Sequence, residues 1–338
     1  MTDADDTATS IRLARRPVGW PTPGDFDIVR EPLPPLEDGQ VRVRNEFVSV
    51  DPYMRGRMSD ARSYVAPYEI GAVISGGAVG RVVASESEAL PVGTAVLHQR
   101  GWSDLVQGDA RRFQKVDEVD GIPLSTRLHI LGLTGFTAYV GLTAIAHLQP
   151  GETVFVSGAA GAVGTAAGQI ARLLGAGRVV GSAGTPEKVA LLTERYGYDA
   201  AFSYKDQPVR TSLKAAAPEG IDVFFDNVGG EHLEAALGAF NDNGRAALCG
   251  AIANYNATER PQGPSNMANL ITHALTLQGF TVGNYGHLMP EFQARMSEWF
   301  AAGEIVYDET IVDGIENTID AFLDMMHGAN TGKMLVRV

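Results

Sequence analysis

A chain of 338 residues, 45% hydrophobic and 20% charged, carries enough apolar material for two packed domains and excludes an extended disordered protein. Its 40 acidic against 27 basic residues, net charge −13, disfavour nucleic acid or an anionic membrane as main partner, since both are polyanions. One cysteine, Cys249, excludes an internal disulfide and a thiolate-built structural zinc site. The histidines show no pair at i, i+4 spacing, so no metal is expected.

In chain order, MTDADDTATS at 1–10 is polar and acidic, without the apolar core of a signal peptide, and reads as a loose tail. No run approaches the ~20 apolar residues that span a bilayer, and a cytoplasmic protein is expected. Residues 11–128 hold short alternating runs, such as 41–50 and 78–84, broken by Pro and Gly. They read as β-rich, without a long amphipathic helix. The texture changes near 129. Phe136, Val140, Ile145 and Leu148 recur at helical spacing, and Pro150-Gly151 stops that helix.

A regular alternation follows. Strands are predicted at 153–157, 178–182, 200–203, 222–226 and 245–249. Helices are predicted between them at 163–174, 186–196, 207–217 and 231–240. This α/β pattern implies a parallel sheet covered on both faces. A helix at 290–302 closes the part, and the tail over 307–338 ends in a strand-like MLVRV expected to return to the first domain.

The run TVFVSGAAGAVG at 153–164 reads as strand, tight turn and helix. Gly161 lets backbone approach a phosphate, Gly164 lets the helix pack near the sheet, and the helix amino end offers N–H groups and a positive dipole end. Ala159 stands where the first glycine of G-x-G-x-x-G is usual, so the strand before and the helix after carry the weight. The alternative is a tight turn with no ligand. NAD sites usually place a carboxylate at the end of the second strand. Here that strand ends GSAGT at 181–185. The next helix opens on Thr185 as N-cap and Pro186, with Lys188 in the first turn. The missing acid and the added base favour NADPH; by itself Lys188 would be an ordinary surface lysine, and Glu187 beside it tempers the preference.

Five motifs, DPYMRGRM at 51–58, GFTAYVGL at 135–142, AAGAVG at 159–164, DNVGG at 226–230 and CGAIANYN at 249–256, stand in the same order as in a known family. The chain resembles the zinc-independent medium-chain dehydrogenase/reductase family. Within it the likeness is to the leukotriene B4 12-hydroxydehydrogenase/prostaglandin reductases and the bacterial NADPH-dependent curcumin reductases. It runs from about residue 11 to the end. The resemblance implies a Rossmann doubly wound parallel sheet at 129–304, inserted into a GroES-like β-barrel domain made of 1–128 and 305–338, with the active site in the cleft. It also implies a homodimer through Rossmann sheet edges. The cofactor positions it implies are Gly161, Ala162, Val163 and Gly164 at the pyrophosphate turn, and Lys188 and Tyr204 at the 2′-phosphate. Asn227 follows the fourth strand; Cys249, Gly250, Ala251, Ile252 and Tyr255 lie on a loop along the cofactor. Phe280, Thr281 and Val282 approach the nicotinamide, and Asn330 comes from the tail. Without the resemblance, Asn330 would read as a turn residue beside glycine.

The expected reaction is NADPH-dependent reduction of the C=C bond of α,β-unsaturated ketones and aldehydes, by hydride transfer to the β-carbon without a metal. Negative charge then develops on the carbonyl oxygen, and a donor aimed there favours the transition state. Tyr255 is the first choice for that donor, with Tyr53 and Tyr64 as further candidates from the first domain. For Tyr64 a packing role weighs about as much, and Tyr53 is also compatible with a structural role in its motif. Cys249 reads as a packed thiol rather than a nucleophile. The alternatives are a quinone oxidoreductase of the same superfamily and a non-catalytic NADPH-binding redox sensor.

Overall fold

The computed structural model describes residues 6–338, which divide into two compact units. One ends at Leu128 and resumes over Glu309–Asn330 and Met334–Val338. The other is His129–Asp308 with Thr331–Lys333. The first unit starts with β1 (Thr7–Leu13) and β2 (Phe26–Pro32), paired antiparallel. Of the loose tail read over 1–10, residues 1–5 lie outside the described residues, and from Thr7 the chain is strand, because its backbone pairs with Pro32 and onward.

Next come β3 (Gln40–Ser49), the short α1 (Tyr53–Arg57), β4 (Ala78–Ser85), β5 (Ala95–His98), β6 (Leu105–Asp109) and β7 (Gln114–Lys115). Alternation sets their inner face: Val41, Val43, Val82, Val96 and Val106 pack with Phe113.

The second unit follows. The helix expected over 136–148 is shorter. It is α2 (Leu133–Val140), continued as a wider π turn over Gly141–Ile145. Gly141 sits against Phe225, where a Cβ would come within 2.4 Å of the ring. Then come β8 (Thr153–Val156), α3 (Ala162–Leu173), β9 (Arg178–Ala183), α4 (Pro186–Glu194), β10 (Ala200–Ser203), α5 (Val209–Ala216) and β11 (Ile221–Asp226). The unit continues with α6 (Gly230–Leu237), β12 (Phe240–Leu248), α7 (Asn269–Thr272), β13 (Thr276–Gly279) and α8 (Met289–Ala301).

Among the described residues these strands form a six-stranded sheet in the order β10-β9-β8-β11-β12-β13, every pair parallel. That is the doubly wound order, in which the chain reverses direction between the first and fourth strands and leaves a crevice at their carboxyl ends. Neighbouring residues bury opposite faces: Val223 and Phe225 join one core, Phe224 the other. Two expectations need correction. The helix placed at 231–240 stops at Leu237, and the strand placed at 245–249 starts at Phe240, because Phe240 already pairs with Ile221 ahead of a register shift. The strand β13 had no counterpart in the sequence reading.

The tail supplies β14 (Glu309–Asp313), α9 (Thr318–Met326) and β15 (Lys333–Arg337). β15 pairs antiparallel with β3, Leu335 opposite Ser49, in a sheet ordered β14-β15-β3-β4-β5-β7 with β6 on β3. Leu335 packs with Val79 and Leu128, so MLVRV does return to the first unit.

Candidate active site

Every predicted cofactor position in the second unit follows the carboxyl end of a parallel strand, so the sheet alone gathers them on one edge; Asn330 belongs to the first unit. After β8, Gly158 turns with φ +59 and Ala159 donates its N–H to the Ser182 carbonyl at 2.8 Å. Gly164 has no room for a side chain, since a Cβ would stand 2.5 Å from the Gly158 carbonyl oxygen and 2.6 Å from Ala159. Gly161 is the opposite case. Its φ of −82 suits any residue, and a Cβ there would meet only the Gly158 oxygen, at 3.5 Å. Neither strain nor packing asks for glycine at 161, and the space beside it is open. α3 begins at Ala162 without a side-chain cap, so the first-turn N–H groups of Ala162, Val163 and Gly164 are available to an anion. The tail segment meets this turn. Gly332 forms an isolated parallel bridge with Gly161 and donates its N–H to the Ala160 carbonyl at 2.9 Å. Asn330 precedes that segment and is half-buried.

Past β9, the Thr185 hydroxyl accepts the Lys188 N–H at 3.3 Å and caps α4 as expected. Burial, and then the charge of Lys205, hold the Lys188 ammonium below its usual range. Two cations thus stand together in a chain of net charge −13. Tyr204, directly after β10, reaches across Gly184, where a Cβ would lie 2.8 Å from its hydroxyl. Its ring meets His232 edge-on at 5.3 Å. The sequence reading missed Lys205, although its place beside Tyr204 was a usable signal.

Past β11, Asn227 is pinned twice to Ser157. Its N–H reaches the Ser157 hydroxyl and its side-chain amide the Ser157 carbonyl, both at 2.8 Å. Past β12, Cys249 and Gly250 donate to the Asp226 carbonyl at 2.8 and 3.0 Å. Ala251 leads into a 3-10 turn, Ile252–Asn254, ended by Tyr255. Burial, with Asp226 nearby, pushes the Cys249 thiol up to about 12, so at neutral pH it is a protonated thiol and no nucleophile. Past β13, Phe280 stands edge-on to Tyr285 at 6.4 Å. Thr281 precedes the turn Val282–Leu288, and Val282 packs on the core with Phe280.

The first unit holds the other two tyrosines. Tyr53 opens α1 and is half-buried; burial first, then Asp51 and Tyr68, raise its hydroxyl pKa. Tyr64 is 69% exposed. The structure adds two residues that the sequence reading did not single out. The Tyr68 hydroxyl donates to the Ser75 carbonyl at 2.6 Å, and the Arg57 guanidinium lies over the Tyr68 ring, 4.0 Å from its centre. Arg57 also donates to the Ala66 carbonyl and the Ser75 hydroxyl, both at 3.1 Å. Arg57 stood inside the 51–58 motif; nothing local marked Tyr68.

Residues 9–116 match the model of an N-terminal domain of oxidoreductases, and residues 162–302 that of a zinc-binding dehydrogenase. A putative NADP-dependent oxidoreductase, YfmJ of Bacillus subtilis, is 43% identical over 97% of this chain and 97% of its own. The chain belongs to the medium-chain dehydrogenase/reductase family. The NADPH-dependent curcumin reductase of Escherichia coli is 40% identical over 96% of this chain and 95% of its own. Prostaglandin reductase 1 of Sus scrofa is 40% identical over 98% of this chain and 99% of its own. The crystal structure of CurA from Vibrio vulnificus in complex with NADPH superposes with a TM-score of 0.92, at 40% identity, over 98% of this chain and 99% of that one. Among the described residues no group of three or more His, Cys, Asp or Glu is placed to hold a metal ion, and no helix is long and apolar enough to cross a membrane.

Proposed function

We propose that this protein is an NADPH-dependent reductase of the C=C bond in α,β-unsaturated ketones and aldehydes. The observation that carries the reading is the end of β9. No carboxylate stands there to hold a ribose 2′-hydroxyl, and the pair Lys188 and Lys205 offers charge to a 2′-phosphate instead. Support comes from a relative named an NADPH-dependent curcumin reductase and from a solved relative that holds NADPH. Bound on this edge, the reduced nicotinamide supplies the hydride for the β-carbon.

The chain's own residues do the rest. The open cradle at Gly161 and the first-turn N–H groups of α3 take the pyrophosphate. Lys188, Lys205 and Tyr204 take the 2′-phosphate, and Phe280, Thr281 and Val282 bound the reactive end, with Asn330 as a tail contact. Tyr255 donates a hydrogen bond to the carbonyl oxygen as it gains negative charge, a stabilisation larger in the transition state than in the ground state. Tyr53 and Tyr64 are read as secondary donors or pocket walls. No metal is required, because the oxyanion is met by hydroxyl groups. We read the two units as the family's GroES-like and Rossmann domains, in a cytoplasmic homodimer joined at the β13 edge. The exposed Ile271 and Met267 next to that edge support such a covering partner.

The test is NADPH oxidation against unsaturated ketones, unsaturated aldehydes, saturated ketones and quinones, with products identified. Saturated carbonyl products are expected, and Tyr255→Phe should lower kcat about tenfold while NADPH still binds. Allylic alcohol as the product, or turnover confined to quinones, would overturn the reading.

A further inference from the structure

Asp226 ends β11 with its carboxylate buried, 1% exposed. Three neutral donors hold it: the Ser157 hydroxyl at 2.8 Å and the N–H groups of Val228 and Gly229 at 2.9 Å. A buried carboxylate is costly to keep, and its cost is offset only when it is fully hydrogen-bonded. What these bonds secure is a geometry. They fold 226–229 into a tight turn, completed by Gly229 and Gly230 at φ +73 and +53. That turn presents successive carbonyls to the loop after β12. The Asp226 carbonyl accepts from Cys249 and Gly250, at 2.8 and 3.0 Å, the Asn227 carbonyl from Ile252 at 3.4 Å, and the Val228 carbonyl from Ala253 at 3.1 Å. Tyr255 closes the loop, its N–H on the Ile252 carbonyl at 3.3 Å. Ser157 completes the frame by accepting the Asn227 N–H on the hydroxyl that donates to Asp226. This chain of contacts leads to Tyr255.

We propose that Asp226, braced by Ser157, is a positioning residue: it makes the loop after β11 into a template on which the 249–255 loop is laid, and so aims the Tyr255 hydroxyl. The inference rests on Tyr255 being the oxyanion donor. A purely fold-stabilising carboxylate would lower the melting temperature of the whole unit. A template acts first on four particular amides, and on kcat before cofactor affinity.

All three donors meet Oδ1; Asp226→Asn keeps the shape and one acceptor oxygen but replaces the anion with a neutral amide, so each of the three bonds loses its charged acceptor. In the cofactor-free protein we expect amide hydrogen exchange at Cys249, Gly250, Ile252 and Ala253 to quicken about tenfold or more, with α3 amides unchanged. With an enone and NADPH, kcat should fall about tenfold, a larger factor than the rise in NADPH Kd that loosening a loop along the cofactor also brings. On a Tyr255→Phe background Asp226→Asn should cost kcat little more, as expected for residues acting through one another. Ser157→Ala should give the same pattern more weakly, and it decides the matter if Asp226→Asn does not fold. Unchanged exchange at the four amides, or equal fractional loss of kcat in both backgrounds, would overturn the template. If Tyr255→Phe alone leaves kcat unchanged, the donor reading fails instead, and the exchange result still decides whether Asp226 holds the loop.

Discussion

The glycine turn of the second unit and the tyrosine cluster of the first are built from different materials. Around Gly158–Gly164 the parts proposed to hold the cofactor are backbone N–H groups and open space, and the side chains are absent or small. Around Tyr53, Arg57 and Tyr68 the proposed parts are side chains, and those of Arg57 and Tyr68 are tied to carbonyls by their guanidinium and hydroxyl groups. A site made of backbone should suffer when a side chain grows and be indifferent to most deletions. A site made of side chains should suffer when one is trimmed.

The largest effect should come from growth at Gly164. A valine there would drive Cβ into two backbone segments, at 2.5 and 2.6 Å, and backbone cannot rotate away; overpacking of this kind costs on the order of 3 kcal/mol or more. Calorimetry of Gly164→Val should show the melting temperature falling by about 10 °C, and fluorescence titration should show NADPH binding lost. Gly161→Ala is the sharper half of the pair. Its Cβ meets only one atom at 3.5 Å, so the melting temperature should hold while the NADPH Kd rises about tenfold. If Gly161→Ala bound NADPH like the wild type, the cradle would not be where the phosphate lies.

Lys188→Ala trims a side chain within the backbone-built unit. A charge-assisted hydrogen bond to phosphate is worth about 1.5–3 kcal/mol. KM for NADPH should rise about tenfold or more, with KM for NADH nearly unchanged, and Lys205→Ala should act in the same direction less strongly. Equal effects on both cofactors would show that neither lysine reads the 2′-phosphate.

How much of this was legible beforehand divides along the same line. In the second unit, strand and helix alternate within about twenty residues, so periodicity alone placed β8 to β12 and the glycine turn. The misplacements fell where tertiary contacts override local pattern. Phe240 pairs early with Ile221, and Gly141 gives way to the Phe225 ring. In the first unit β15 pairs with β3 almost three hundred residues away; the strand-like MLVRV suggested a returning tail, but no local pattern records which strand it meets. The same holds for the site. Gly161, Gly164 and Thr185 announce themselves by residue type and spacing. The Ser157–Asp226 bond spans 69 positions, and the Arg57–Tyr68 stacking depends on an irregular loop.

Acid should separate the units next. In the first unit His98 is held neutral: its Nε2 meets the Asn45 side-chain oxygen at 2.8 Å and its Nδ1 accepts the Arg100 N–H at 3.1 Å. Burial, aided by Arg100, pushes its pKa down to about 3. In the second unit burial pushes His232 down to about 4, and its Nε2 has no hydrogen-bond partner among the described residues. Both folded values lie below the ordinary 6.5, so the unfolded chain takes up protons first as pH falls. Stability is full above about pH 6.5 and is lost as pH drops toward 4 and then 3. At pH 5 each histidine should cost about 2 kcal/mol. Calorimetry between pH 7.5 and 5 should show this loss, and His232→Gln should remove the second unit's share alone. A melting temperature flat over that range would mean that neither imidazole is held neutral.

Tyr64 should give the smallest effect and the most pointed test of the side-chain end. Tyr64 is 69% exposed, and surface substitutions move stability little, so Tyr64→Phe should shift the melting temperature by no more than about a degree or two. If the hydroxyl only lines the approach to the substrate, kcat/KM for an enone should fall less than about threefold, through KM, because binding is weakened equally in ground and transition states. A tenfold fall in kcat itself would mean that the hydroxyl meets the developing charge. The comparison would then change: the first unit would supply chemistry as well as shape, and Tyr255 would share its role with a residue on a solvent-exposed loop. Measuring the Tyr64→Phe and Tyr255→Phe variants with the same enone, singly and together, decides it, since two donors to one oxyanion couple and a pocket wall does not.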